Sequence, residues 1–278
     1  MKEILGEVAE GPSNRRGLLK ALGIAGAGAG AAIFSGAQLA SGAPAITDLD
    51  ILNFALNLEY LEAEFYSVAT RGMTIEQLGI PISGSGRPGA TTGGGQVHFN
   101  NEPFRLGQVA FEIGHNERVH VRLLRDTITQ LGGTPVAKPA INLDALGAFA
   151  GDLNVYLTLS RAFEDTGVSA YSGAAPLIEN KTVLGAAARI LAAEAEHVGL
   201  VRLQVAMRGV KTKALDSLDI LPPPSGGSYF SIEYFKGLCA ARTPGQVLAI
   251  VYAMANATAG GFFPNGVNGV INMSSEPA

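Results

Sequence analysis

Apolar residues recur at helical rather than strand spacing along most of the chain. After a capping box from Thr47 to Asp50, the residues Leu49, Leu52, Ala55, Leu58 and Phe65 fall mostly on one helix face, and Arg71-Gly72 closes the segment. Residues 73–101 lose this period and are rich in Gly, Ser and Thr. Asn101-Glu102-Pro103 then opens a long periodic run to Leu131-Gly132-Gly133, about 28 residues and roughly 42 Å of helix. Asn142 is the expected cap of a third helix running through Tyr171-Ser172-Gly173, and Thr182 begins a fourth that reaches Arg208-Gly209. Past Pro222-Pro223-Pro224 and Gly226-Gly227, a short helix is expected over Ile232 to Ala241. Thr243-Pro244 caps another through about Asn256, and Gly260 to Ala278 reads as coil. The pattern predicts an all-α fold: a four-helix bundle over 46–210 with a C-terminal extension, 211–278, of short helices and coil packed on it.

The first 45 residues follow different rules. Ser13-Asn14-Arg15-Arg16-Gly17-Leu18-Leu19-Lys20 looks like a twin-arginine export signal, an Arg pair followed by apolar residues and a Lys. The stretch Ala21 to Ala40 is rich in Ala and Gly, and Ala43-Pro44-Ala45 offers a small-x-small cleavage site. Residues 1–45 are therefore expected to be a signal peptide removed near Ala45, with the export machinery as partner and a periplasmic or extracellular destination. The alternative is an uncleaved membrane anchor, since about 20 apolar residues can span a bilayer, although the glycine density makes a poor permanent span. The twin-arginine route carries folded proteins, which suits a protein that loads metal before export.

Composition narrows the chemistry. With 47% apolar residues in 278, a sizeable core is available. The formal charge of −4 includes a +1 leader (Lys2, Arg15, Arg16 and Lys20 against Glu3, Glu7 and Glu10), which leaves −4 − 1 = −5 beyond it and no basic surface for nucleic acid. Cys239 is the single cysteine, so neither an internal disulfide nor a thiolate cage can form, and any metal must be held by His and carboxylate. There are four histidines: His98, His115, His120 and His197.

Two of them sit in an internal repeat. Glu117-Arg118-Val119-His120-Val121-Arg122-Leu123-Leu124-Arg125 and Glu194-Ala195-Glu196-His197-Val198-Gly199-Leu200-Val201-Arg202 share E-x-x-H-V-x-L-x-R. Upstream of each, Glu59 precedes Tyr66 and Glu164 precedes Tyr171 by seven positions, on one helix face. The first half carries 28 extra residues between its glutamates, 58 against 30, and the 73–101 loop accounts for them, an insertion expected over one bundle end that shields a site or forms a partner surface. A Glu and a His three apart on a helix reach one interior point, and two such pairs plus one Glu from each remaining helix give four carboxylates and two imidazoles, a set that holds two divalent iron or manganese ions. Without metal those charges would be costly in a dry core.

These motifs resemble the ferritin-like superfamily and its exported, desiccation-related branch, over about Thr47 to Gly209. The tail motifs Arg242-Thr243-Pro244 and Gly260-Gly261-Phe262-Phe263-Pro264-Asn265-Gly266 are similar to that branch as well. The resemblance implies a bundle with one long crossover between helices two and three, and Glu59, Glu117, His120, Glu164, Glu194 and His197 as metal ligands. On helix one Glu62 and Glu64 compete with Glu59, and only Glu59 has the Tyr seven later; Glu62, opposite Gly167 in the repeat, is left as an extra ligand or gate. Glu112-Ile113-Gly114-His115 is a rival pair, but His115 and His120 lie about 140° apart around the helix and cannot face one centre. Glu196 is expected at a rim, His98 in solvent, and Arg125 and Arg202 as surface charges or carboxylate partners. Tyr66 and Tyr171 are hydrogen-bond donors to the ligands, redox-active neighbours, or plain core aromatics.

Two functions follow as expectations. One is an exported di-iron or di-manganese oxidoreductase acting on Fe2+, peroxide or O2. The other is a non-enzymatic desiccation or stress protein that keeps the bundle without turnover. Homo-oligomerisation stays open.

Overall fold

The computed structural model describes residues 45–99 and 105–278. The twin-arginine segment and the expected helix start at Asn101-Glu102-Pro103 lie outside the described residues. Among the described residues no helix is long and apolar enough to cross a membrane.

Four long helices dominate: α1 (Asp48–Arg71), α2 (Leu106–Gln130), α3 (Leu153–Ala174) and α4 (Lys181–Arg208), followed by the short α5 (Pro244–Tyr252). Helix α1 packs on α2 and α3 on α4, with lighter contacts from α1 to α3 and from α2 to α4. The N-terminal box of α1 forms in both directions, Thr47 N–H donating to Asp50 Oδ2 at 2.9 Å while Thr47 Oγ1 accepts from Asp50 N–H at 3.3 Å. Left-handed glycines, Gly72 and Gly209, end α1 and α4. The single apolar face expected of α1 understates its burial, since Asn57, Glu59, Glu62 and Glu64 are buried with its apolar residues. Other segments cover the side of α1 turned away from its partner helices.

One cover is the 73–99 insertion. Its strand β1 (Thr91–Thr92) pairs in parallel with β2 (Ile141–Asn142) of the crossover from α2 to α3, with Thr92 opposite Asn142. The insertion runs along the flank of α1 and α2 rather than over a bundle end: Val97 N–H donates to Ala69 O, and Arg122 and Arg125 donate to Gly79 O and Ser83 O. Glu64 anchors it, accepting from Ile75 N–H and Thr91 Oγ1–H and pairing with buried Lys138 of the crossover at 3.3 Å. The other cover is the tail. Asn57 Nδ2–H donates to Asn268 O and its Oδ1 accepts from Asn268 N–H, while the Asn268 side chain bonds backbone at Arg87 and Ala137.

Three helix expectations are corrected. Helix α3 begins after Asp152, whose carboxylate accepts from Asn154 and Val155 N–H, and not after Asn142. Asn142 is in β2, and its side chain caps a turn by accepting from Asp144 N–H. Residues 232–241 form no helix but a bridge between Ile232 and Cys239, closed by Glu233 N–H to Leu238 O and by a left-handed Gly237. So short an isolated helix is marginal, and here a glycine interrupts it. Helix α5 stops at Tyr252 because Ala253 adopts a left-handed conformation.

Candidate metal centre

Helical spacing turns Glu117 and His120 of α2, and Glu194 and His197 of α4, toward the interior, where Glu59 of α1 and Glu164 of α3 meet them. All six are buried. His120 Nδ1 lies 3.4 Å from Glu59 Oε2, 3.1 Å from Glu117 Oε2 and 3.4 Å from Glu194 Oε1. His197 Nδ1 lies 3.1 Å from Glu117 Oε1 and 3.3 Å from Glu164 Oε2. The two imidazole centroids are 6.4 Å apart.

The donors resolve into two overlapping groups of four, Glu59, Glu117, His120 and Glu194, and Glu117, Glu164, Glu194 and His197; within each, one donor atom per residue lies within 4.8 Å of the others. Glu117 and Glu194 belong to both. Ten buried side-chain N or O atoms among the described residues have no hydrogen bond, and six of them are here: Glu59 Oε2, Glu117 Oε1, Glu164 Oε2, both Glu194 oxygens and His197 Nδ1. Neighbours at 3.1–3.4 Å that still fail to bond one another have lone pairs converging on shared points, which is what a bound cation requires. The oxygen and imidazole set suits iron or manganese.

The electrostatics agree. Burial drives Glu59 up to about 7 despite His120, and pushes Glu164 and, far more, Glu194 above the usual carboxylate range, with Glu117 adding to the rise in each. Burial also acts to raise Glu117, but the two imidazoles beside it, His120 bonded to Oε2 and His197 close to Oε1, outweigh it and bring that group to about 2. Burial opposes charge on His197, yet Glu164 and Glu117 hold it up to about 11, and His120 rises further beside Glu59, Glu117 and Glu194. Like charges crowd this space with too few cations.

The repeat has a three-dimensional meaning. Tyr171 O–H donates to Glu59 Oε1 at 2.5 Å, and Tyr66 O–H donates to Glu164 Oε1, so each half's tyrosine holds the other half's glutamate. Glu62 is buried beside the cluster but belongs to neither group of four. Glu64 is committed to Lys138, and Glu112, His115, Glu196 and His98 lie on the surface. Arg202 is no surface charge: it is fully buried and pairs with Asp165 at 2.7 Å, while Arg125 bonds the Tyr60 hydroxyl at 2.6 Å and, among the described residues, no carboxylate. Sequence reasoning passed over Asn116, whose amide lies 3.1 Å from His197 Nε2. The signal was its position one residue before Glu117, but a lone asparagine carries no motif.

A model of the ferritin-like domain matches residues 47–207. The chain is 25% identical to Ferritin-like catalase Nec2 of Nesocodon mauritianus over 283 aligned positions, covering 81% of this chain and 84% of that protein. It is 28% identical to Desiccation-related protein PCC13-62 of Craterostigma plantagineum over 174 positions, 56% of this chain and 52% of that protein, so it spans about half the length of this second relative. With more than half of its length matched and two halves that repeat the Glu then Glu-x-x-His pattern, the chain belongs to the ferritin-like domain family and resembles its desiccation-related branch.

Proposed function

We propose that the chain is an exported two-ion oxidoreductase in which Glu59, Glu117, His120, Glu164, Glu194 and His197 hold iron or manganese. The observation that carries the reading is the set of six orphaned donor atoms shared by two overlapping groups of four. When bound, such a pair exchanges electrons with peroxide, O2 or Fe2+. The relative named as a catalase favours peroxide as the substrate.

The chain's own residues set the conditions for that chemistry. The tyrosines fix the rotamers of Glu59 and Glu164 by donating to one oxygen of each and leaving the other free. Both imidazoles present Nδ1 to the interior, and the Asn116 amide nitrogen, 3.1 Å from His197 Nε2, steadies that ring from its outer side. The surrounding core of Phe65, Tyr156 and Phe163 keeps bulk water away. Residues 1–45 direct export through the twin-arginine machinery and are removed near Ala45, after which residues 46–210 with the extension 211–278 constitute the mature protein.

The second reading, a desiccation or stress protein without turnover, is favoured by the similarity to PCC13-62. Protein purified from its natural compartment separates the two. About two iron or manganese ions per chain with peroxide-dependent turnover supports the enzyme; a folded, metal-free and inactive chain sinks it.

A further inference from the structure

Glu62 stands apart from every other buried acid. Outside the cluster, each buried carboxylate meets a cation: Glu64 has Lys138, and Asp165 has Arg161 and Arg202. Inside it, Glu59, Glu117, Glu164 and Glu194 each approach an imidazole. Glu62 is buried on α1, one turn after Glu59, with no hydrogen bond and no ion pair among the described residues. The charges acting on it are those of Glu194, Glu117, Glu59 and Glu164, all of its own sign, and burial together with them pushes its carboxyl far up.

The second half of the repeat has no counterpart to it. Glu62 corresponds to Gly167 of α3, as Glu59 does to Glu164. A methyl group at 167 would stand 3.4 Å from Glu62 Oε1 and 2.8 Å from Glu194 Oε2. One half therefore supplies an extra carboxylate where the other carries no side chain, a methyl there pressing on Glu194 and only touching Glu62, which breaks the twofold equivalence of the cluster.

We propose that Glu62 is a fifth carboxylate of the two-ion centre, giving it a preference for a pair carrying one trivalent and one divalent charge over two divalent charges. Four carboxylates balance a total charge of four and five balance five, and in a buried site that difference is weakly screened. The inference rests on the two-ion reading above.

The test uses the full mature chain loaded with iron, as wild type and as Glu62→Gln and Glu62→Met, which keep the side-chain length without the charge. About two irons per chain are expected in all three, with the metal-free variants melting at or above the wild type because a buried unpaired acid has been removed. The ferric-to-ferrous affinity ratio is expected to fall at least tenfold in the variants, read as a midpoint potential raised by about 59 mV or more for one electron. An unmoved potential with iron retained overturns the role of Glu62 and leaves the two-ion reading standing. Loss of iron from both variants overturns the charge preference, because Glu62 would then hold ions of either charge. A folded wild type that binds no iron removes the two-ion reading itself, and this proposal with it.

Discussion

Glu164 and Asp165 are adjacent in α3 and face two buried charge clusters of opposite character. Asp165 belongs to a region in which three arginines face three aspartates. Arg161 pairs with Asp165 and Asp219, Arg202 with Asp165, and Arg242 with Asp216. Spare donors are used too: Arg202 bonds the carbonyls of Ile220, Ser228 and Tyr229, and Arg242 bonds Ser169 Oγ. About 100° around the same helix, Glu164 joins a cluster in which acids outnumber imidazoles and oxygens are left without donors. Balanced charge, with Arg161 Nε and Asp165 Oδ1 as its two atoms without a hydrogen bond, ties the tail to α3 and α4. Unbalanced charge with converging lone pairs awaits a cation. Burial alone does not separate structural from functional charge; the count of partners does.

The comparison breaks most visibly at Arg202. Arg202→Met leaves Asp165 buried with weaker partners and is expected to cost about 3–5 kcal/mol in denaturant unfolding, without changing the metal bound per chain. Glu194→Gln should do the reverse, lowering metal affinity by more than about 100-fold in a chelator competition while the metal-free protein stays as stable as the parent. A Glu194→Gln variant that keeps its metal would remove Glu194 from the donor set.

Acidity sharpens the contrast. Glu59, raised to about 7, must release a proton to take a cation, so one site affinity is expected to drop about thirtyfold between pH 8 and about pH 5.5 in a titration followed by elemental analysis. The metal-free protein behaves oppositely. A raised carboxyl contributes stability that is fully present below its unfolded value near 4.5 and is lost as pH rises through 7, so the melting temperature of the metal-free chain falls across that window. The smallest effect belongs to Asn116: Asn116→Ala should weaken metal binding about tenfold and leave unfolding nearly unchanged.

Much of this was legible in the sequence because helical spacing is rigid. Glu117 with His120 and Glu194 with His197 needed only the 3.6-residue period to share an interior point, and Thr47 and Gly72 mark the ends of α1 by local chemistry alone. Asn142 misled because an asparagine caps turns as well as helices, and only the pairing with Thr92 decides between them. Arg202 stayed open between a surface charge and a carboxylate partner because its partners are not on its own helix: Asp165 and three tail carbonyls are brought to it only by folding.

The sequence by itself determined that there are four long helices, the duplicated Glu then Glu-x-x-His pattern and thereby the residues that could face one centre, since these depend on spacing within single helices. Tertiary structure decided what depends on approach between helices: which tyrosine holds which glutamate, that Glu117 and Glu194 are shared, that Gly167 lies beside Glu62, and that neighbouring Glu164 and Asp165 serve different clusters. Contacts between distant segments follow from how the elements pack, and no local period encodes them.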